Sequence, residues 1–205
     1  MNKKYQIVIF GATGFTGELC VKYMSEKYPD VSIAIAGRNK EKLEMVRSRH
    51  GLSCPIVVAD AFDVEALDKM CQDADVVLST AGPYHKYGSD LVRSCVNAGC
   101  HYVDITGESF WIRDQIEKHH ADAEAKGIRI ISACGFDSAP SDLGVFYAVN
   151  KVVGEVESVH CFQAWKGESS GGTMETMFSS VDAKLTKGGL GTVSYTHLRA
   201  HETES

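Results

Sequence analysis

A chain of 205 residues is long enough for one complete domain of about 150 residues and part of another. Its apolar and charged contents, 44% and 23%, are those of a globular protein, and no apolar run approaches the roughly 18 residues of a membrane span. A net charge of −6, with no run of Lys or Arg longer than a pair, argues against nucleic acid as a partner. The cysteines at 20, 54, 71, 95, 100, 134 and 161 are scattered and odd in number, and several sit in apolar runs. That pattern suits buried thiols in a reducing compartment, so a cytoplasmic location is expected. The apolar run after Lys3-Lys4 is too short for a secretory leader.

In chain order, residues 7–10 (Ile-Val-Ile-Phe) read as a strand buried on both faces. Gly11-Ala12-Thr13-Gly14-Phe15-Thr16-Gly17 follows, and a helical pattern then runs from Thr16 to Tyr28, with Leu19, Tyr23 and Met24 on one face. Gly11 permits a tight turn, Gly14 leaves bare backbone where a pyrophosphate can approach, and Gly17 lets the helix lie close to the strand. The helix start offers free N–H groups and a positive dipole end. Strand, G-x-x-G-x-x-G, then helix is the context a dinucleotide fingerprint requires.

The second strand, residues 31–36, ends at Gly37-Arg38-Asn39. A site for NAD usually places Asp or Glu at this point to bind the ribose hydroxyls. Arg38 stands there instead, and a guanidinium suits a 2′-phosphate, so NADP is expected over NAD. Asn39 reads as the cap of a helix over 40–50. A third strand over 54–60 ends at Asp60, near the expected adenine or simply in a turn. A helix over 63–72 and a fourth strand over 74–79 follow, and the latter runs into Thr80-Ala81-Gly82-Pro83-Tyr84. Small residues there leave room for ribose and nicotinamide.

A helix over 88–98 with Leu91, Val92 and Cys95 inward, a fifth strand over 101–105, a helix over 110–126 and a sixth strand over 128–134 complete the alternation. The expected fold is a Rossmann α/β domain over residues 1–138, a doubly wound parallel sheet of order 3-2-1-4-5-6. The expected cofactor residues are Gly11, Ala12, Thr13, Gly14, Phe15, Thr16, Gly17, Arg38, Asn39, Asp60, Thr80, Ala81 and Gly82.

From Ala139 the pattern changes: a helix over 140–150, a strand over 156–165 and a helix over 174–185 read as the start of an α+β second domain over 139–191. Residues 192–205 have no period and look like a translated sequencing adapter. They are expected to be a non-native tail on a longer natural protein.

Hydride transfer needs a group to supply or remove a proton. Tyr84, His85 and Tyr87 follow the fourth strand, and Glu108 follows the fifth. Tyr84 and Glu108 are the catalytic candidates. Tyr87 reads more simply as an interface residue and His85 as a solvated one. Asp104 and Asp137 end strands on the same sheet edge and could orient a substrate or merely cap turns. No metal site is expected, because Cys95, Cys100 and His101 contain no C-x-x-C pair.

Taken together, Gly-Ala-Thr-Gly-Phe-Thr-Gly at 11–17, Ala-Gly-Arg-Asn at 36–39 and Gly-Pro-Tyr-x-x-Tyr-Gly at 82–88 resemble the saccharopine dehydrogenase-like oxidoreductases. Tyr-x-Asp-x-x-Gly-Glu at 102–108 and Gly-Phe-Asp-Ser-x-Pro-x-Asp-Leu-Gly at 135–144 extend the resemblance over most of residues 5–190. It is stronger to the trans-acting enoyl reductase branch than to the lysine-pathway enzymes. The resemblance implies an NAD(P)-binding Rossmann domain, a substrate domain mostly missing here, and an NADP-dependent oxidoreductase that is a homodimer at full length. Hydride transfer to C=C of a lipid-like substrate, or to C=N or C=O, is the implied reaction. A saccharopine-type imine reductase and a non-catalytic NAD(P)-binding protein are the alternatives.

Overall fold

The computed structural model describes residues 3–136 and 138–162, with Gly171, Met174 and Phe178. Six parallel strands form one sheet: β1 (Tyr5–Phe10), β2 (Ile33–Gly37), β3 (Ile56–Val58), β4 (Ala74–Ser79), β5 (His101–Asp104) and β6 (Ile130–Ile131). Their order is β3-β2-β1-β4-β5-β6, the doubly wound order expected. The helices are α1 (Phe15–Lys27), α2 (Lys40–Arg49), α3 (Val64–Gln72), α4 (Tyr84–Tyr87), α5 (Ser89–Ala98), α6 (Ser109–Ala125) and α7 (Ala139–Val149).

Strand side chains alternate between faces, so one sheet builds two cores. Val8 and Phe10, Ala34 and Ala36, and Val77 face one core, closed by Leu67 and Met70 of α3, Leu91, Val92 and Cys95 of α5 and Trp111 of α6. Ile9 and Ile35 face the other, against Val21 of α1 and Leu43 and Val46 of α2. Each fully buried aliphatic side chain here contributes about 1.5–3 kcal/mol of transfer free energy. Both faces of β1 and β2 are thereby covered, which is why their sequences run apolar without a break.

The structure departs from expectation in five places. α1 buries Gly17 and Val21 rather than Leu19 and Tyr23, which are 51% and 56% exposed. The close approach at Gly17 fixes which stripe meets the sheet, and apolar content alone does not. β6 is two residues long, because the chain beyond Ile131 bends so that Ser132 and Ala133 hydrogen-bond the Asp104 carboxylate. β3 is likewise confined to its pairing with β2. Residues 84–87 form α4 where no element was expected. Residues 156–162, the described part of the expected second-sheet strand, carry no strand. A lone strand has no ladder partner, and no described strand lies beside them. The remainder of that strand, the 174–185 helix apart from Met174 and Phe178, and the tail lie outside the described residues.

Candidate functional site

The site lies at the carboxyl ends of β1 and β4, where the chain's crossovers reverse direction. β1 ends at Phe10, and the glycine loop turns at Gly11 with φ +83°, a conformation that disfavours side chains. A Cβ on Gly11 would lie 3.0 Å from the Ala81 nitrogen and from Thr80 Oγ1. A Cβ on Gly17 would run into the Gly11 carbonyl and sit 2.8 Å from Thr80 Oγ1. Thr80 ties the two strand ends together: its hydroxyl reaches the Phe10 and Gly11 carbonyls at 3.1 and 3.2 Å, and its N–H donates to Phe10 O at 2.9 Å.

Gly14 is different. Its backbone is ordinary, φ −79° and ψ 163°, and a Cβ would meet only the Gly11 carbonyl at 3.4 Å. Nothing in the fold itself demands glycine there. Gly14 precedes α1, whose first turn has no side-chain cap, whereas Asn39 and Asp63 cap α2 and α3. Open space over a bare residue at an uncapped helix start is what a pyrophosphate needs. Thr13 is exposed, Phe15 is 73% exposed and Thr16 is half-buried around this opening, while Ala12 is buried beneath it in the second core.

At the end of β2, Arg38 is exposed and forms no ion pair among the described residues. Asn39 Oδ1 accepts from the Lys42 N–H at 2.8 Å, so that oxygen is committed to the cap. Asp60 Oδ1 accepts from the Phe62 N–H at 3.0 Å, the turn-forming role that sequence left open. Ala81 and Gly82 are half-buried on the β4 side of the opening.

Beyond them α4 is organised by Glu108, whose side chain is fully buried. Its Oε1 accepts from the Tyr84 N–H at 2.7 Å, and Oε2 accepts from the His85 N–H at 2.7 Å. His85 Nδ1 lies 2.6 Å from Oε2. Tyr84 is buried and donates its hydroxyl to the Ser79 carbonyl at 3.1 Å, with its ring against Trp111. Burial, and secondarily the Asp104 carboxylate, pushes the Tyr84 hydroxyl far above the ordinary tyrosine range. Asp104 is buried, with its oxygens taken by the Thr106 and Ala133 N–H groups and the Ser132 hydroxyl, and burial raises its pKa. Tyr87 packs edge-on against Phe62. Asp137 lies outside the described residues.

The structure thus brings Tyr84, His85 and Glu108 together and makes Asp104 a link between β5 and the chain after β6. The His85–Glu108 pair is what sequence reading missed. The two residues are 23 apart, and only the adjacency of β4 and β5 joins them, so no local spacing signals the contact.

Sheet order, switch point and glycine loop define a dinucleotide-binding Rossmann domain. Residues 7–131 match the saccharopine dehydrogenase NADP binding domain, and the chain belongs to that family. Its cofactor is therefore NADP(H), in keeping with Arg38 in place of an acidic residue. A Mycobacterium tuberculosis relative is 40% identical over 183 residues, which cover 85% of this chain and 44% of the relative. The trans-acting enoyl reductase of Mycobacterium leprae is 44% identical over 155 residues, covering 74% of this chain and 37% of that one. The chain thus spans less than half the length of these curated relatives. Among solved structures, apo saccharopine dehydrogenase (L-Glu forming) from Saccharomyces cerevisiae superposes with a TM-score of 0.61. At 20% identity, over 72% of this chain and 31% of that one, it shows the shared fold.

Proposed function

We propose that this chain is the cofactor-binding part of an NADPH-dependent reductase acting on the polarised C=C bond of a lipid-like enoyl substrate. The observation that carries the reading is the glycine loop at the switch point, with Gly14 exposed and Arg38 without an ion pair among the described residues. The enoyl preference is supported by relatives named trans-acting enoyl reductase. When bound, NADPH would supply the hydride from its nicotinamide ring. Gly11, Gly14, Gly17 and the first turn of α1 would hold the pyrophosphate, Arg38 the 2′-phosphate, and Thr80, Ala81 and Gly82 the floor beside the nicotinamide ribose. Asn39 and Asp60 would shape the adenine end from their turns.

Of the two catalytic candidates, Tyr84 serves by shaping the rim, since its hydroxyl is spent on Ser79. Glu108 serves as the anchor of α4. Residues from Ala139 onward are read as the first part of a substrate-binding domain, because α7 buries no residue and leaves Leu143, Phe146 and Tyr147 more than 60% exposed. In the complete protein that domain would carry the substrate pocket and a dimer contact, and the thiols of Cys71, Cys95 and Cys100 suit a reducing, cytoplasmic setting. No described helix is long and apolar enough to cross a membrane.

The test is NADPH consumption with an enoyl thioester and, separately, with an imine formed from an amino acid and a keto acid. Oxidation with the enoyl substrate alone is expected. Oxidation with the imine alone would move the reading to a saccharopine-type reaction, and tight NADPH binding with neither would leave a non-catalytic binding protein.

A further inference from the structure

We propose that His85 is the proton donor of the reduction and that Glu108 is the residue that positions it; this deepens the reading given under Proposed function and rests on it. Glu108 is a fully buried carboxylate, and a buried charge is retained only when its oxygens are well bonded. Two of its contacts, the N–H groups of Tyr84 and His85, would suffice to anchor α4. The third, to Nδ1 at 2.6 Å, fixes the orientation of one imidazole. A carboxylate accepts only from a protonated ring nitrogen, so Nδ1 carries hydrogen and Nε2 is the nitrogen left for chemistry.

The ring is held on its other side by Phe110, 5.6 Å between centroids, and keeps 16% of its side-chain surface open. It stands on the segment that leaves β4, the strand flanking the switch point where the reactive end of the cofactor is expected. The neighbouring candidates are committed elsewhere: the Tyr84 hydroxyl to the Ser79 carbonyl, and the Asp104 oxygens to Thr106, Ala133 and Ser132. Of the side chains gathered here, His85 alone combines a ring fixed by a buried carboxylate with a nitrogen that has no partner among the described residues.

The proton step balances without another reactant. Hydride delivery leaves an electron pair on the substrate, at the α-carbon of an enoyl group. The Nε2–H bond of the imidazolium breaks, a C–H bond forms at that carbon, and the neutral ring remains with its hydrogen on Nδ1. A proton taken up from bulk solvent then binds Nε2 and restores the imidazolium, the one proton that the net reduction consumes.

The experiment compares the chain with His85→Ala and Glu108→Gln. NADPH affinity is read by fluorescence, the His85 ring by two-bond 15N–1H correlation with and without NADP+, and turnover with a crotonyl thioester. NADPH affinity is expected to be unchanged in His85→Ala, while kcat falls at least about 100-fold with KM held, and added imidazole restores part of it. Glu108→Gln is expected to lower kcat while the ring loses its fixed Nδ1–H tautomer. In the unsubstituted chain, NADP+ should shift the His85 ring resonances. A His85→Ala variant that binds NADPH and keeps most of its kcat overturns the proposal, as does one that imidazole does not rescue. So do ring resonances that saturating NADP+ leaves unmoved, a readout that decides even if turnover needs a longer chain. Failure of the unsubstituted chain to bind NADPH would instead overturn the reading on which the proposal rests.

Discussion

Gly14, at the N-cap of α1, and Gly17, in its first turn, sit three residues apart and answer to different demands. A methyl on Gly17 has no room, since it would meet the Gly11 carbonyl and Thr80. Gly17→Ala should therefore cost about 1–3 kcal/mol of stability, read as a lowered denaturant midpoint. A methyl on Gly14 would meet only the Gly11 carbonyl, at an ordinary 3.4 Å contact. Gly14→Ala should leave stability within about 0.5 kcal/mol while weakening NADPH at least about tenfold, read by titration beside a thermal melt. Arg38 makes a third case, because it has no described partner in the protein. Removing a charge-assisted bond to a phosphate is worth about 1.5–3 kcal/mol, so Arg38→Ala should cut NADPH affinity about 10–100-fold and leave NADH nearly unchanged. These positions were legible in sequence because a motif fixes residue type and spacing together. The pairing of His85 with Glu108 was not, because it depends on which strands become neighbours, although Glu108 itself stood out as a candidate.

At the scale of elements, Asp104 makes a pH prediction. Burial raises its folded-state pKa above the ordinary aspartate range, so its stabilising contribution is complete below the unfolded pKa. That contribution is lost as pH rises through the raised folded value. Asp104→Asn keeps the acceptor for the Thr106 and Ala133 N–H groups without the charge. The variant should gain stability relative to the parent as pH rises from about 4 toward 7, measured by denaturant melts across that range. An Asn variant that falls steadily behind with rising pH would contradict the assignment. Asp63, whose side chain accepts from the Ala66 N–H, caps α3, and Asp63→Ala should cost about 1 kcal/mol. Strand and helix order came through in the sequence because apolar runs bounded by glycines and caps recur along it. The inward stripe of α1 did not, since Leu19 and Tyr23 are apolar yet face out, and Gly17 alone decided the contact. α4 escaped notice because a four-residue helix has too little periodicity, and its anchor, Glu108, comes from elsewhere in the chain.

For the molecule as a whole, the sheet closes its two cores within residues 5–131, and α7 adds nothing to either. Leu143, Phe146 and Tyr147 stay exposed on α7, which the alternation of apolar residues did not reveal, because burial depends on what lies opposite. The central claim is that the segment from Gly11 to Gly17 and the exposed guanidinium of Arg38 together select a phosphorylated dinucleotide. The most direct measurement is a paired titration of the chain with NADPH and NADH. NADPH should bind at least about tenfold more tightly than NADH, a difference of about 1.4 kcal/mol. Binding of neither below about 1 mM, or a preference for NADH, would contradict it.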